Sequence, residues 1–201
     1  METLTDLIED RYTSSSEIAE FLDNIDHRGR VEAMEPLTRA HLRKLYEKSR
    51  GAFSLTVEHF VPKDTPPKTE VIHWGRNSLP AFRSFQKRFC TPDPNHLDPQ
   101  VLLWGFNEQE MRAFTGPGYF VVREGDVDDP IVIDYRATPP SKPYGWPEIL
   151  PNSARLSRFI YNGTVDKMRR VSEHVSIGAA YREEQALGAF FILCREDRER
   201  S

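Results

Sequence analysis

The sequence predicts a mainly β (α+β) fold: an eight-stranded antiparallel barrel with helices attached on its N-terminal side. Three observations carry the prediction. Apolar residues recur at helical spacing through about residue 50, the period then changes to two, and eight strand-like runs follow with turn chemistry between most of them. The 201 residues fit one structural domain, read as a helical segment, 1–50, packed on a barrel, 51–201.

The helices come first. Leu4, Leu7, Ile8 and Tyr12 share one helical stripe, and Ser14-Ser15-Ser16-Glu17 offers a capping box ahead of Ile18, Phe21, Leu22 and Ile25. Asp26-His27-Arg28-Gly29 breaks that helix. Another begins near Pro36, runs through Leu37, His41, Leu42, Leu45 and Tyr46, and meets a C-terminal stop at Gly51. These amphipathic helices require a surface to cover.

The strands follow in order. In Ala52–Val61, Phe53, Leu55, Val57, His59 and Val61 alternate onto one face. Glu70–Arg76 is the second strand, with Gly75 marking a bulge or a close backbone approach. Leu79–Phe89 is expected as a short helix, because Phe82, Phe85 and Phe89 fall on one stripe. Three prolines make Thr91–Gln100 a loop. Val101–Asn107, Tyr119–Glu124 and Pro130–Arg136 are the next strands, with Glu108–Phe114 a short helical turn and 137–154 a proline-rich excursion. Arg155–Tyr161 precedes Asn162-Gly163, a strong hairpin signal. Met168–Tyr181 and Leu187–Cys194 complete the set, with a short helix over Thr164–Arg169 as the alternative start. Eight strands joined locally are enough to close a sheet on itself.

Composition excludes several classes. The net charge is −4, and acidic and basic residues are interspersed, so no basic face for nucleic acid stands out. The run Lys167-Met168-Arg169-Arg170 reads as a solvated strand face. No apolar run reaches the roughly 18 residues of a membrane span, and the N-terminus has no signal-peptide pattern. With two cysteines far apart, Cys90 and Cys194, free thiols in a reducing cytoplasm are expected. The oligomeric state stays open, a homodimer being admitted.

This order of elements resembles the lipocalin and fatty-acid-binding superfamily, the calycins. The resemblance covers roughly residues 52–195 and rests on eight successive strands, the helix over Leu79–Phe89 and the late hairpin turns. Gly51-Ala52-Phe53 stands where that family carries Gly-x-Trp. The resemblance implies a closed barrel that holds a small apolar molecule. No site residue is carried over from it.

Candidate ligand contacts are read from the residues themselves. His59 shares the apolar face of Phe53, Leu55 and Val57, where an imidazole serves as acid, base, metal ligand or hydrogen-bond anchor. The competing reading is a core histidine bonded to a neighbour. In His73-Trp74-Gly75-Arg76, alternation puts Trp74 and Arg76 on one face and His73 on the other, and Arg76 suits a ligand carboxylate or a stack on Trp74. Tyr119, Tyr135 and Tyr161, with Trp104, suit a pocket for a ligand having ring and polar parts, or ordinary core packing. Arg158 is either an inward cation that needs an anion or a solvated one. Asp93, His96 and Asp98 match no metal spacing, and no Gly-rich phosphate loop, nucleophile elbow or cofactor signature is present, so no cofactor is expected.

Two functions follow. The first is binding of a small, partly apolar ligand in the barrel. The second is a cofactor-free isomerase, cyclase or hydrolase using the same cavity with His59 as acid or base. A protein-interaction module built on the helices is the third. An enzyme requires two titratable groups within hydrogen-bond reach inside the barrel, whereas a carrier requires one polar anchor in an apolar cavity.

Overall fold

The computed structural model describes residues 2–79, 83–96, 98–109, 116–154 and 161–197. Four helices lead: α1 (Leu4–Glu9), α2 (Ser15–Asp23), α3 (His27–Met34) and α4 (Arg39–Lys48). The Ser14–Glu17 box forms as the spacing requires: the Glu17 amide donates to Ser14 Oγ at 3.2 Å, and the Ser14 amide donates to the Glu17 carboxylate at 2.8 Å. Asn24 caps the end of α2, and Asp26 starts α3, its carboxylate accepting the Gly29 amide at 2.8 Å. Thr38 caps α4, and Gly51 sits beyond it at φ 63°, a conformation glycine adopts without a Cβ penalty.

Eight strands close into an antiparallel barrel in sequence order: β1 (Val71–Asn77), β2 (Ser84–Cys90), β3 (Leu103–Glu108), β4 (Phe120–Glu124), β5 (Ile131–Asp134), β6 (Thr164–Arg170), β7 (Val175–Arg182) and β8 (Gln185–Arg195). The seam is β1 against β8, with Gly75 opposite Leu193. The predicted fold class holds, but the membership of the strand set changes.

Ala52–Val61 is not a strand. Its second half forms the single turn α5 (Val57–Phe60), and Leu55, Phe60 and Val61 pack into the barrel end instead. The physical reason is closure: β1 already pairs with both β2 and β8, so no sheet edge is left for a ninth strand. Leu79–Phe89 is not a helix between strands two and three, since Ser84–Cys90 is β2. Phe85 and Phe89 are four apart, which suits both periods, and the residue between them that faces inward is a lysine. Thr164–Arg170 is strand rather than helix, and Met168–Tyr181 is two strands, folded back where the Val171 and Ser172 amides both donate to the Val175 carbonyl. Residues 155–160 and 110–114 lie outside the described residues, as does most of each element expected there.

The wall separates three apolar clusters. Inside lie Phe89, Phe120, Val122, Ile133, Met168, Phe191 and Leu193, closed at one end by Phe60. On the outer face of β7 and β8, Val175, Ile177, Ile192 and Cys194 are covered by Leu4, Ile8, Ile18, Leu22, Leu42 and Leu45 of the helices. Each such fully buried aliphatic side chain contributes about 1.5–3 kcal/mol. On the outer face of β3 and β4, Trp104, Phe106, Tyr119 and Val121 are covered by Trp146 from the proline-rich excursion, whose indole N–H donates to Glu70 at 2.7 Å.

Inside the barrel three hairpins repeat one device. Gly75 lies opposite Phe85, Gly105 opposite Phe120 and Gly178 opposite Phe191. A Cβ on any of these glycines would sit 2.3 to 2.6 Å from the facing ring, so each ring occupies the space its partner leaves.

Candidate binding site in the barrel interior

The rings of Phe85, Phe120 and Phe191 surround Lys87. With Tyr135 they bring four aromatic rings to within 4.7–5.7 Å of the ammonium nitrogen. Lys87 reaches this place because it faces inward between Phe85 and Phe89 on β2, and it is only 2% exposed. Its Nζ donates to Asp166 at 3.2 Å, to Asn107 Oδ1 at 3.0 Å and to the Tyr135 hydroxyl. Asn107 Nδ2 in turn donates to the Gly118 carbonyl at 3.0 Å and to Tyr135 at 3.1 Å. Tyr161 stacks on Tyr135 with ring centroids 5.1 Å apart. Strands β2, β3 and β6, with the residue just past β5, thus deliver an amine, an amide, a carboxylate and a phenol to one point.

Burial dominates the electrostatics. It pulls the Lys87 ammonium below the ordinary lysine value, with Asp166 opposing, and pushes the Asp166 carboxyl up, with Lys87 opposing. Both shifts lean toward a neutral amine beside a neutral acid. The Tyr135 phenol is raised by burial first and by Asp166 second.

The interior beside this cluster is built differently. His73, directly across from Lys87 on β1, is fully buried, and its Nε2 lies 3.0 Å from the Phe60 carbonyl. A carbonyl only accepts, so Nε2 carries the proton. The ring also packs against Phe89, and burial lowers its pKa to about 3. His59 lies on α5, 7% exposed, edge-on to Phe60, and burial holds it well below the ordinary histidine value with Arg195 and Arg170 adding to the effect. Among the described residues neither His59 Nε2 nor His73 Nδ1 has a hydrogen-bond partner.

The sequence-derived candidates therefore separate. Tyr135, Tyr161 and His73 face the interior, and His59 closes its end from a helical turn rather than lining it from a strand. Trp74 and Arg76 are on the outer face, as alternation requires; Trp74 is 37% exposed beside His27. Tyr119 and Trp104 also point outward. Both pack beneath the proline-rich excursion, Tyr119 donating to the Pro147 carbonyl at 2.6 Å, because their parity on β3 and β4 is opposite to that of Gly105 and Phe120. Arg158 lies outside the described residues. Lys87, Asp166 and Asn107 were not among the sequence candidates. The signal available for the first was its place midway between two phenylalanines at period two.

The basic run at 167–170 is not a solvated face. Arg169 is buried, donating to Asp129 at 2.7 Å and to the Tyr46 carbonyl at 2.7 Å, while Met168 points inside. Cys90 and Cys194 are buried free thiols, which burial pushes up to about 12 and about 11. A groove of about 680 Å³ is lined by His27, Pro62, Glu70, Val71, Arg195 and Asp197, and no member of the Lys87 cluster lines it. Among the described residues no group of three or more His, Cys, Asp or Glu is placed to hold a metal ion, and no helix is long and apolar enough to cross a membrane.

The fold and site define a closed eight-stranded antiparallel β-barrel with a polar cluster inside it, consistent with a lipocalin-like architecture. No protein-family model matches the chain, and no match is found among curated proteins or solved structures.

Proposed function

We propose that this protein binds a small, partly apolar ligand inside the barrel, as a calycin-type barrel does. The polar end of the ligand meets Lys87, Asp166, Tyr135 and Asn107, and its apolar body meets Phe85, Phe120 and Phe191. The observation that supports this is the convergence of four polar side chains within an interior otherwise largely aromatic and aliphatic, the composition that specific small-molecule sites share. A ligand arriving from this end displaces Tyr161 from its stack on Tyr135. Tyr161, at 9%, is more exposed than the four polar side chains.

Titration with decanoate and with cinnamaldehyde tests the reading, followed through the Asn107 side-chain amide signal in a ¹⁵N-labelled sample. Saturable shifts that vanish in Lys87→Met support it. A flat response to both probes, together with a clean apo mass for protein taken from its source host, would overturn it.

A second reading, an enzyme using the same cluster, is favoured by one observation. An ionisable amine and an ionisable carboxyl lie 3.2 Å apart inside the barrel, the acid–base convergence that a carrier does not require. In that reading Lys87 and Asp166, rather than His59, carry the proton chemistry.

A further inference from the structure

We infer that the ligand is a carbonyl compound, an aldehyde or ketone with an apolar body, and that Lys87 captures it covalently as an imine. This rests on the proposed binding site and narrows it to one ligand chemistry.

Three features support it. First, of the seven lysines, at 44, 48, 63, 68, 87, 142 and 167, only Lys87 is buried. Its four-carbon stem ends among rings rather than in water, where an amine loses the hydration that keeps it protonated. Second, imine formation requires an acid at the nitrogen, and Asp166 and Tyr135 both contact Nζ directly. Third, the contacts are ones an imine can keep. A protonated imine nitrogen has one N–H left to donate, and Asp166 is placed to accept it. The three rings then flank the carbon that was the carbonyl.

The step balances with these groups alone. Lys87 first passes one ammonium proton to the Asp166 carboxylate across their 3.2 Å contact, and the freed amine then adds to the carbonyl carbon, forming the N–C bond while the C=O π pair moves to oxygen. That oxygen takes a proton through Tyr135, and the nitrogen gives one up to the same network, so the addition is proton-neutral. The neutral Asp166 carboxyl then protonates the hydroxyl, the C–O bond breaks and water leaves. A protonated imine remains beside the Asp166 carboxylate. No oxidant, reductant or further reactant enters, and hydrolysis by the reverse path releases the ligand.

The test uses the full chain at pH 7 with 4-(dimethylamino)cinnamaldehyde, whose protonated imine absorbs to the red of the free aldehyde, and sodium cyanoborohydride to fix any imine as an amine. Peptide mapping should find the adduct on Lys87 at least about tenfold above any surface lysine. The red-shifted band should be absent in Lys87→Met. Asp166→Asn, which keeps the side-chain shape, should still take up the aldehyde but form the imine about a hundredfold more slowly. Lys87→Arg retains the cation and serves as the folded control, checked by circular dichroism. Adducts confined to the exposed lysines, with the Asn107 amide still shifting on aldehyde addition, would sink the imine and leave the binding site standing. If neither the aldehyde nor decanoate shifts the Asn107 amide, and protein from its source host shows a clean apo mass, both readings fall.

Discussion

Strand β6 carries two buried ion pairs that face opposite ways. Asp166 points into the barrel and meets Lys87 at 3.2 Å, whereas Arg169 points out beneath α4 and meets Asp129 at 2.7 Å. Outside, the planar guanidinium finds several partners at once: Asp129, the Tyr46 carbonyl and the Tyr46 ring 3.8 Å away, while the Tyr46 hydroxyl donates back to Asp129. That cluster joins α4, the β4–β5 turn and β6 into one body, and every partner belongs to an element it holds in place. Inside, the ammonium is a point charge on a flexible stem, and burial draws both members of the pair toward neutrality. The difference teaches that burial of a salt bridge does not by itself assign a role. The outer pair is fixed by geometry, and the inner one is left chemically open.

The largest expected effect therefore belongs to the outer pair. Arg169→Met leaves Asp129 buried without its cation and should cost about 3–5 kcal/mol in urea denaturation. Helical circular dichroism and tryptophan fluorescence are expected to give coincident transitions in the parent, because the Arg169 cluster ties α4 to β6. Two separate transitions there would show that the helices and the barrel are independent, and the tie would lose its meaning.

For the inner pair, Lys87→Met alone should cost about 2–3 kcal/mol, less than the outer pair because Asp166 can take up a proton. The double variant Lys87→Met, Asp166→Leu should return to within about 1 kcal/mol of the parent, because a well-packed apolar pair replaces the ionic one. A double variant as unstable as Arg169→Met would make the inner pair structural as well.

The cage around the inner pair is tested by Gly105→Ala. The new Cβ would sit 2.3 Å from the Phe120 ring and 2.6 Å from the Arg88 carbonyl oxygen, so backbone must shift, at about 1–3 kcal/mol.

The pH dependence is the finest probe. His73 is held neutral with a pKa of about 3, well under the ordinary histidine value, so below pH 6.5 the unfolded chain binds a proton that the folded one refuses. Its contribution is fully present above pH 6.5 and is lost progressively as pH falls toward 3. His73→Gln keeps a donor for the Phe60 carbonyl without titrating. It should flatten the stability slope between pH 6.5 and 5, and an unchanged slope would remove His73 from that role.

Much of the barrel is legible in the sequence, and the reasons are local. The runs at 70–76, 101–107, 119–124, 130–136 and 187–194 are short apolar-rich stretches and appear as β1, β3, β4, β5 and β8 with small shifts of their ends. The errors arise where period is ambiguous or the turn is unmarked. Ser172-Glu173-His174 reverses the chain with neither glycine nor proline, so β6 and β7 read as one strand. In β2, an inward lysine breaks the apolar alternation that would have identified the strand. The same lysine is the centre of the candidate site. A residue type rarely buried gives no pattern of its own until its partners Asp166, Asn107 and Tyr135, far away in sequence, are brought together by closure. The inward or outward parity of Tyr119 and Trp104 is likewise set by strand register, which composition does not encode.

The three phenylalanine–glycine pairs have a consequence for how the chain assembles. Each joins strands that are consecutive in sequence, β1 with β2, β3 with β4 and β7 with β8. A slip by one residue would drive a side-chain carbon into a ring, so each hairpin can check its own alignment while the rest of the chain is still open. By the time the first and last strands meet, three of the seven hairpins have already proofread their register, and the closing step only has to join edges that are correct.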